Sequence, residues 1–264
     1  MNLQLDNKRA LVTGSTAGIG FAIAQALAAE GAQVIINGRT QGRVDAALAR
    51  LREACPQAMA SGIAADLATA AGVAQLIKVC PDVEILVNNL GIFAAVPFES
   101  IEDSEWFRFF EANVMSGVRL ARQYLPQMKA RNWGRIIFIS SESGVCPPAE
   151  MVHYGMTKSA QLSVSRGLAE TCAGTGVTVN AVLPGPTRTE GVMEFFEPMA
   201  KQNNQTIDEA GRQFIASARP TSILQRFIEP NEIATTVAYL CSPLASATTG
   251  AAIHVEGGVI RSLV

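Results

Sequence analysis

Seven short apolar runs alternate with longer segments rich in alanine and leucine along this 264-residue chain. Every run contains valine or isoleucine, and turn-forming residues bound most of them, which is typical of buried strands. The runs are RALVTG, AQVIING, ASGIAAD, VEILVNN, RIIFISS, VTVNAVLPG and AAIHVEGG, and the helical patterns include Phe21–Ala29, Val44–Arg52, Trp106–Lys129 and Tyr154–Cys172. This alternation predicts an α/β fold, with a doubly wound parallel sheet of about seven strands and helices on both faces.

One segment interrupts the alternation. Between Pro186 and Pro230 the sequence has two or three short helical patterns and no strand pattern. A long insertion after a strand end is usually functional in a compact domain. Because no linker or repeat divides the chain, we expect one domain over residues 1–264, with a substrate lid around residues 186–222.

The charge and the cysteine content argue against several classes of protein. The 21 basic and 23 acidic residues leave a net charge of −2 without long runs of one sign, so we expect no nucleic-acid partner. Five cysteines without a C-x-x-C pair indicate reduced thiols, and two histidines make a metal site unexpected. The N-terminal segment lacks an apolar signal region and no long apolar run occurs, so we expect a cytoplasmic protein with no membrane partner.

A glycine-rich turn follows the first strand. In LVTGSTAGIGFAIAQAL, Gly14, Gly18 and Gly20 precede an amphipathic helix. Glycines allow the backbone to approach a pyrophosphate, and the helix N-terminus supplies free N–H groups and a positive dipole. The position and spacing favour dinucleotide binding over a purely structural turn.

The end of the second strand indicates which dinucleotide is bound. An acidic residue there would hold the ribose 2′-hydroxyl of NAD, but the sequence from Asn37 to Thr40 is NGRT. The guanidinium of Arg39 suits a 2′-phosphate, and Gly38 leaves room for it. We therefore expect NADP(H) to be preferred over NAD(H), although Arg39 as a solvated loop residue is an alternative.

Tyr154 and Lys158 lie four residues apart in VHYGMTKSA, which places them on one face of a helix. Hydride transfer to a ketone leaves an alkoxide that needs a proton, and a phenol can supply it. An unperturbed tyrosine has a pKa of about 10, so action near neutrality requires a lowering of about three units, or about 4 kcal/mol. The charge of Lys158 is expected to provide that lowering. A second donor to the substrate carbonyl is expected in FISSESG, where Ser140, Ser141 and Ser143 compete.

Taken together, the motifs resemble those of the short-chain dehydrogenase/reductase family, in its compact single-domain branch. The resemblance rests on TGSTAGIG, on NNLG at residues 88–91, on a serine 13 residues before YGMTK, and on PGPTRT at residues 184–189. It covers essentially the whole chain and implies a Rossmann-type fold and an NAD(P)-dependent oxidoreductase acting on CH–OH groups. Leu90 departs from the family pattern, which usually has alanine there.

The resemblance also implies the residues of the site. The catalytic set is Asn113, Ser141, Tyr154 and Lys158, and the thirteen-residue spacing selects Ser141 among the three serines. The cofactor set is Gly14, Ser15, Thr16, Gly18, Ile19, Gly20, Arg39, Asp66, Leu67, Asn88, Gly91, Tyr154, Lys158, Pro184, Gly185, Thr187 and Thr189; no metal is implied. Lys158 would also bind the nicotinamide ribose, and Asp66 the adenine amino group unless it serves a turn or helix cap.

Asn113 would mark a helix kink whose backbone binds a water that reaches Lys158, completing a proton relay. The lid helices are expected to be mobile when the site is empty and to line the pocket with Met193, Phe195 and Phe196 on closure. The alternative is a helical hairpin packed permanently on the core. The exposed apolar surfaces and the resemblance imply a homotetramer, or a homodimer.

The leading function is an NADP-dependent oxidoreductase that interconverts a small ketone and a secondary alcohol, with Tyr154 as general acid and base. A 3-oxoacyl-carrier-protein reductase is an alternative, with Lys129, Arg131 and Arg135 as basic residues for an acidic carrier. A non-enzymatic NADP-binding sensor is a further alternative, which the intact catalytic set disfavours. A nucleotide-sugar epimerase or dehydratase would need a larger C-terminal substrate domain.

Overall fold

The central sheet contains seven parallel strands, as the alternation predicts. A computed structural model describes residues 1–263, apart from the side chains of Phe195 and Met199. The strands are β1 (Arg9–Val12), β2 (Gln33–Gly38), β3 (Ala60–Ala64), β4 (Ile85–Asn88), β5 (Gly134–Ile139), β6 (Val177–Pro184) and β7 (Ala252–Val255). Their order across the sheet is β3-β2-β1-β4-β5-β6-β7. The fold is therefore the Rossmann-type α/β arrangement that the sequence indicates.

Helices cover both faces of the sheet. They are α1 (Gly18–Ala29), α2 (Gln41–Ala54), α3 (Ala70–Val79), α4 (Asp103–Phe110), α5 (Ser116–Ala130), α6 (Val152–Glu170), α7 (Glu190–Gln202), α8 (Ile207–Ala218) and α9 (Pro230–Cys241). One apolar cluster joins the sheet to α1, α2 and α9, and a second joins it to α3 and α5. Over residues 1–263, none of the helices has the length and apolar character needed to cross a membrane.

The direction of winding reverses between β1 and β4. The chain places β2 and β3 on one side of β1, and then places β4 and the later strands on its other side. Such a reversal opens a crevice at the carboxyl ends of the strands, where ligands bind in open α/β sheets. The glycine turn, the NNLG run and the serine run all follow strands at this edge.

A π-helical turn at Glu111–Met115 divides the region for which the sequence predicts one helix, Trp106–Lys129. Asn113 lies in its centre and is buried. Its side chain accepts a hydrogen bond from the Ile92 amide at 2.7 Å and donates to the Ile92 carbonyl at 3.0 Å and to Thr157 Oγ1 at 2.9 Å. The turn thus fastens the loop after β4 to α6, which carries Tyr154 and Lys158.

The insertion after β6 contains α7 and α8. Its base is closed by a parallel bridge between Thr187 and Ile228, a contact that the strand patterns do not indicate. The two helices share a small apolar cluster built on Phe196, Ile215 and Phe227. This segment therefore has a small apolar core of its own.

Candidate active site

The glycine turn has the backbone geometry that its sequence predicts. Gly14 and Gly18 have φ angles of +60° and +56°, where a side chain would be strained. A Cβ on Gly20 would lie 2.4 Å from Asn89 Nδ2. Asn89 donates to the carbonyls of Thr13 and Gly14 at 2.9 and 3.1 Å. Asn89 therefore stabilises the turn, although the predicted set omits it. In the sequence, only the second asparagine of NNLG pointed to this residue.

Ser15 and Asn37 tie the glycine turn to β2. Ser15 Oγ donates to the Val12 carbonyl at 2.6 Å and accepts the Asn37 amide at 3.0 Å. Asn37 Oδ1 in turn accepts the Gly14 amide at 3.2 Å. The side chain of Ser15 is therefore fully engaged within the fold, which leaves its backbone for any ligand.

The carboxyl end of β2 leads into the exposed residues Arg39 and Thr40. Gly38 is buried, and a Cβ at this position would lie 2.5 Å from Thr16 Cγ2. An acidic side chain at residue 38 would therefore push Thr16 away. The close contact gives a physical reason for glycine here, in addition to room for a phosphate.

Other residues of the predicted cofactor set have varied surroundings. Asp66 is exposed, and its Oδ1 accepts the Ala68 amide at 3.1 Å in a tight turn, while Thr69 caps α3. The side chain of Leu67 is buried in the core. Asn88 is buried beside Gly117 of α5, where a Cβ would lie 3.1 Å from its Cγ. Asp66 thus has the turn role that was left open, and Leu67 has only its backbone available for a cofactor.

The PGPTRT segment lies over the glycine turn. A Cβ on Gly18 would approach Thr189 Cγ2 to 3.2 Å. The carboxylate of Glu190, the first residue of α7, accepts the Gly18 amide at 2.9 Å and lies 3.5 Å from Arg50. An anion from a distant residue thus occupies an N–H group at the start of α1, where the chain has no local side-chain cap. This geometry fits the use of the same helix end for the phosphates of a dinucleotide.

The carboxyl end of β6 packs against the turn after β7. A Cβ on Gly185 would lie 2.6 Å from the carbonyl oxygen of Glu256, so the two backbones approach too closely for a side chain. Thr187 is buried, and its Oγ1 donates to the Gly185 carbonyl at 2.8 Å. Pro184 is the last residue of the strand. This segment therefore holds a fixed backbone path toward the crevice.

Tyr154 and Ser141 meet at the carboxyl end of β5. Burial raises the pKa of Tyr154, and the side chain of Ser141 lies near enough to the phenol to lower it in part. Ser140 is engaged elsewhere, since its Oγ donates to the Lys158 carbonyl at 2.9 Å, and Ser143 donates its amide to Ser141 Oγ at 3.1 Å. Of the three serines, the structure brings the hydroxyl of Ser141 to the tyrosine.

Phe93 forms one wall beside the tyrosine, with its ring centroid 6.5 Å from that of Tyr154 in an edge-on arrangement. It is 51% exposed and lies just beyond the NNLG run. No sequence motif marked this residue. Its exposed ring offers an apolar surface next to the tyrosine.

The ammonium of Lys158 is buried and donates to the Ile139 carbonyl at 2.8 Å. It lies 5.5 Å from the centroid of the Tyr154 ring, and a Cβ on Gly91 would lie 3.4 Å from it. Burial lowers the pKa of Lys158 to about 7, against the opposing charge of Glu142. The predicted pair therefore shares one helical face, and Gly91 leaves the space beside the ammonium open.

The pKa of Tyr154 departs from the sequence-based prediction. Burial raises it first and the charge of Glu142 raises it further, while the hydrogen bond with Ser141 and the charge of Arg219 lower it. The prediction that Lys158 supplies the lowering is wrong for this arrangement. The physical reason is that Lys158 is itself desolvated and directs its ammonium to the carbonyl of Ile139.

The backbone carbonyl of Asn113 accepts a hydrogen bond from Gln161 Nε2 at 2.6 Å. The predicted water relay would use this same carbonyl, so Gln161 takes one of its two lone pairs. Gln161 lies on α6, three residues after Lys158. The relay remains a prediction that must share its acceptor with this side chain.

Two charged residues that the motifs do not include lie next to Ser141. Glu142 Oε2 accepts the Ser141 hydroxyl at 2.5 Å, and Glu142 Oε1 accepts Arg219 Nε at 2.9 Å. The acid within SSESG was the only available signal for Glu142. Arg219 follows α8 and is 77 residues distant in sequence, so no local pattern could have indicated it.

The apolar residues assigned to the lid pocket only partly fit that assignment. Phe196 is buried and packs against Phe214 and Phe227, with ring centroids at 5.1 and 5.6 Å. It belongs to the cluster within the insertion, and its role as a pocket wall on lid closure stays a prediction. Met193 is half-buried near the glycine turn, and the side chain of Phe195 lies outside the described part of the structure.

A family model described as short chain dehydrogenase matches residues 8–200. This chain belongs to the short-chain dehydrogenase family. The family explains why the glycine turn, Ser141, Tyr154 and Lys158 share one edge of the sheet. Members are NAD(P)-dependent dehydrogenases and reductases that act on alcohol and ketone groups of small-molecule substrates.

Three relatives show the range of this short-chain dehydrogenase's neighbours. An uncharacterized oxidoreductase, YvaG of Bacillus subtilis, is 51% identical, with 100% of each chain covered. A 3-oxoacyl-[acyl-carrier-protein] reductase of Aquifex aeolicus is 32% identical over 98% of this chain and 100% of its own. The crystal structure of L-sorbose reductase from Gluconobacter frateurii, complexed with NADPH and L-sorbose, is 31% identical with a TM-score of 0.92 and 100% of each chain covered.

Proposed function

We propose that this protein is an NADP-dependent reductase of a small, free ketone, with Tyr154 as the proton donor. The observation that carries the proposal is the Lys158 ammonium 5.5 Å from the centre of the Tyr154 ring, with Ser141 beside the tyrosine at the same strand end. These groups stand at the carboxyl edge of the sheet, across from the glycine turn. The relative crystallised with NADPH and L-sorbose supports both the cofactor and the substrate class.

The chain's own residues would divide the work as follows. The start of α1 holds the cofactor phosphates, Arg39 holds the 2′-phosphate, and Lys158 holds the nicotinamide ribose. The nicotinamide supplies or accepts the hydride. Tyr154 gives its hydroxyl proton to the substrate oxygen and recovers it from solvent. Ser141 stands beside the tyrosine, where it partly offsets the burial that raises the pKa of Tyr154.

The substrate is found by following NADPH absorbance with a panel that includes L-sorbose, a simple diketone and an acetoacetyl thioester. We expect turnover with small free ketones. Tight NADPH binding without turnover of any member would favour the NADP-binding sensor instead.

A carrier-protein reductase receives less support from the surface charges. Arg135 is buried at the start of β5, and Arg131 is paired with Asp82 at 2.5 Å. Lys129 donates to the Thr171 carbonyl at 2.5 Å. These residues lie toward the amino ends of the strands, opposite the catalytic edge, so they are badly placed to receive an acidic carrier at the site. Because the Aquifex aeolicus relative is a 3-oxoacyl-[acyl-carrier-protein] reductase, carrier-protein reduction is the second candidate function.

Cofactor choice is expected to depend on Arg39. Replacing Arg39 with Gln should lower kcat/KM for NADPH by about tenfold or more and leave kcat/KM for NADH nearly unchanged, because a charge-assisted hydrogen bond contributes about 1.5–3 kcal/mol. Steady-state kinetics with both cofactors measures the effect. Gly38→Asp is a poorer probe, since its Cβ would clash with Thr16 Cγ2 at 2.5 Å.

Arg52→Gln is the matched control. It removes the same charge in the last turn of α2, away from the end of β2. It should leave both cofactors unaffected. A native preference for NADH, or equal losses with both cofactors in Arg39→Gln, would contradict the assignment.

The lid is expected to respond to cofactor. Glu190 begins α7 and binds the Gly18 amide, so a dinucleotide at the glycine turn must compete with or rearrange this contact. We expect amides in residues 191–217 to exchange slowly only when NADP and a competitive inhibitor are both bound. Hydrogen exchange followed by mass spectrometry measures this difference.

Helix α9 packs on α1 and is largely buried on that face, so its amides serve as the reference and should change little. Equal and strong protection of residues 191–217 in both states would show a permanently packed hairpin. We also propose that residues 1–264 form one domain, of which the lid is an insertion.

Self-association is also proposed, as a homotetramer or a homodimer. Phe107 is 70% exposed on α4, and Phe98 is 58% exposed just before it. Exposed aromatic side chains such as these are typical of surfaces that contact another chain.

A further inference from the structure

The carboxylate of Glu142 is 6% exposed and is enclosed by the groups expected to transfer the proton. One oxygen, Oε2, accepts the Ser141 hydroxyl at 2.5 Å. A serine hydroxyl has one proton, so Ser141 in this arrangement donates to Glu142 and accepts the Ser143 amide at 3.1 Å. Glu142 thus decides which way the serine hydroxyl points.

Arg219 neutralises this carboxylate from the lid. Its side chain is 11% exposed, and Nε lies 2.9 Å from Glu142 Oε1, while Nη1 lies 3.3 Å from Glu150 Oε1. Arg219 is the residue directly after α8, and its guanidinium lies 5.9 Å from the centre of the Phe214 ring. The end of the lid is therefore joined by charge to the loop after β5.

The charged groups that face Glu142 and Tyr154 come from several elements. Lys158 comes from α6, Glu142 and Glu150 from the segment between β5 and α6, and Arg219 from the lid. Lys158 and Glu142 are buried, and the side chain of Arg219 is 11% exposed. A buried ion pair is costly to break from one side only, because the remaining charge stays desolvated.

We propose that Glu142 and Arg219 are positioning residues: Glu142 fixes the Ser141 hydroxyl beside Tyr154 by accepting its hydrogen bond, and Arg219 holds Glu142 and couples lid closure to the proton-transfer groups. The proposal rests on the proposed function, since it takes Tyr154 as the proton donor. It adds two residues that the catalytic motifs do not contain.

The two residues should act on Tyr154 with opposite signs. Removing the Arg219 charge leaves an uncompensated carboxylate near the phenol, which disfavours the phenolate. Removing the Glu142 charge leaves cations nearby, which favours the phenolate. A close charge shifts the ionisation of its neighbour by about one to three pH units.

The test is an ultraviolet titration of tyrosinate, which needs no substrate. The chain has three tyrosines, so subtracting the curve of the same variant with Tyr154→Phe isolates one group. Arg219→Gln should move the Tyr154 step to higher pH, and Glu142→Gln should move it to lower pH, each by at least about one unit. Arg219→Lys keeps the charge and should stay near the native step.

Glu150→Gln is the matched control, because it removes the half-exposed partner of Arg219 and leaves the buried pair intact. Its Tyr154 step should not move. If Tyr154 of the native chain does not ionise before alkaline unfolding, Glu142→Gln decides alone: a tyrosinate step must appear that is lost with Tyr154→Phe.

If Arg219→Gln is too unstable to titrate, the Tm values of the single and double variants test the ion pair instead. The double variant Glu142→Gln/Arg219→Gln should regain most of the lost Tm, because no buried charge is left unpaired. Unmoved titration steps in both single variants, or steps that move in the same direction, would overturn the proposal. Failure to find any ketone substrate would count against the proposed function and leave the titration result standing.

Discussion

Replacing Tyr154 with Phe is expected to lower kcat for ketone reduction by about a thousandfold, or about 4 kcal/mol, while the protein folds and binds NADPH. The phenol is the group that supplies the proton, and Phe keeps the ring but lacks the hydroxyl. The ring is half-buried against Phe93, so its packing should survive the change. Single-turnover absorbance measures the rate, and circular dichroism checks the fold.

Tyr239→Phe is the matched control, since Tyr239 is 42% exposed on α9, far along the chain from the site residues. It should behave as the native protein. A rate for Tyr154→Phe above about a tenth of the native value, a loss below about 1.4 kcal/mol, would mean that Tyr154 is not the acid.

Replacing Lys158 with Met should lower turnover by at least about a hundredfold and also weaken NADPH binding by about tenfold or more. Two effects are expected because the ammonium lies 5.5 Å from the centre of the Tyr154 ring and would hold the nicotinamide ribose, and a hydrogen bond to a charged group contributes about 1.5–3 kcal/mol. Some stability should also be lost, since the buried Ile139 carbonyl loses its donor. Fluorescence titration gives the Kd for NADPH, and stopped-flow absorbance gives the rate.

Lys129→Met is the matched control. It makes the same substitution at the other end of the sheet, where Lys129 donates to the Thr171 carbonyl. Neither turnover nor the NADPH Kd should change. An unaltered Kd in Lys158→Met together with slow turnover would remove the ribose role and keep the catalytic one.

The pH dependence of NADPH binding between about pH 6 and 8 should also report on the charge of Lys158. Burial lowers its pKa to about 7, so the ammonium loses its proton as the pH rises through that value. If the charge is needed, NADPH affinity should fall as the pH rises through about 7 in the native protein. Lys158→Met, which carries no charge at any pH, should lack this dependence.

The strands, their order of appearance and the motif positions could be predicted because they depend on local rules. Alternating Val- and Ile-rich runs and helical segments determine a parallel sheet, and the right-handed connection of such units leaves few topologies. The glycines of residues 14–20 and the four-residue spacing of Tyr154 and Lys158 likewise carry their geometry in the chain itself. Residues at the ends of parallel strands necessarily meet at one edge of the sheet.

The contacts between distant segments could not be predicted. Asn89 on the glycine turn, Glu190 on the Gly18 amide and Arg219 on Glu142 join residues that lie 75, 172 and 77 positions apart. A local pattern records the type of a side chain and not the partner that the fold brings to it. The prediction that Lys158 lowers the Tyr154 pKa was wrong for the same reason. Burial and neighbouring charges depend on the tertiary structure.

The sequence by itself thus determined the parallel sheet, the crevice at its carboxyl edge and the presence of a phenol and an ammonium on one helical face. Only the tertiary structure decided the electrostatic setting of that phenol. It placed the half-buried Tyr154 near the carboxylate of Glu142, and the compensating guanidinium of Arg219 at the end of the lid. Helix and strand patterns act over a few residues, whereas desolvation and charge act through space, and that difference separates what could be predicted from what could not.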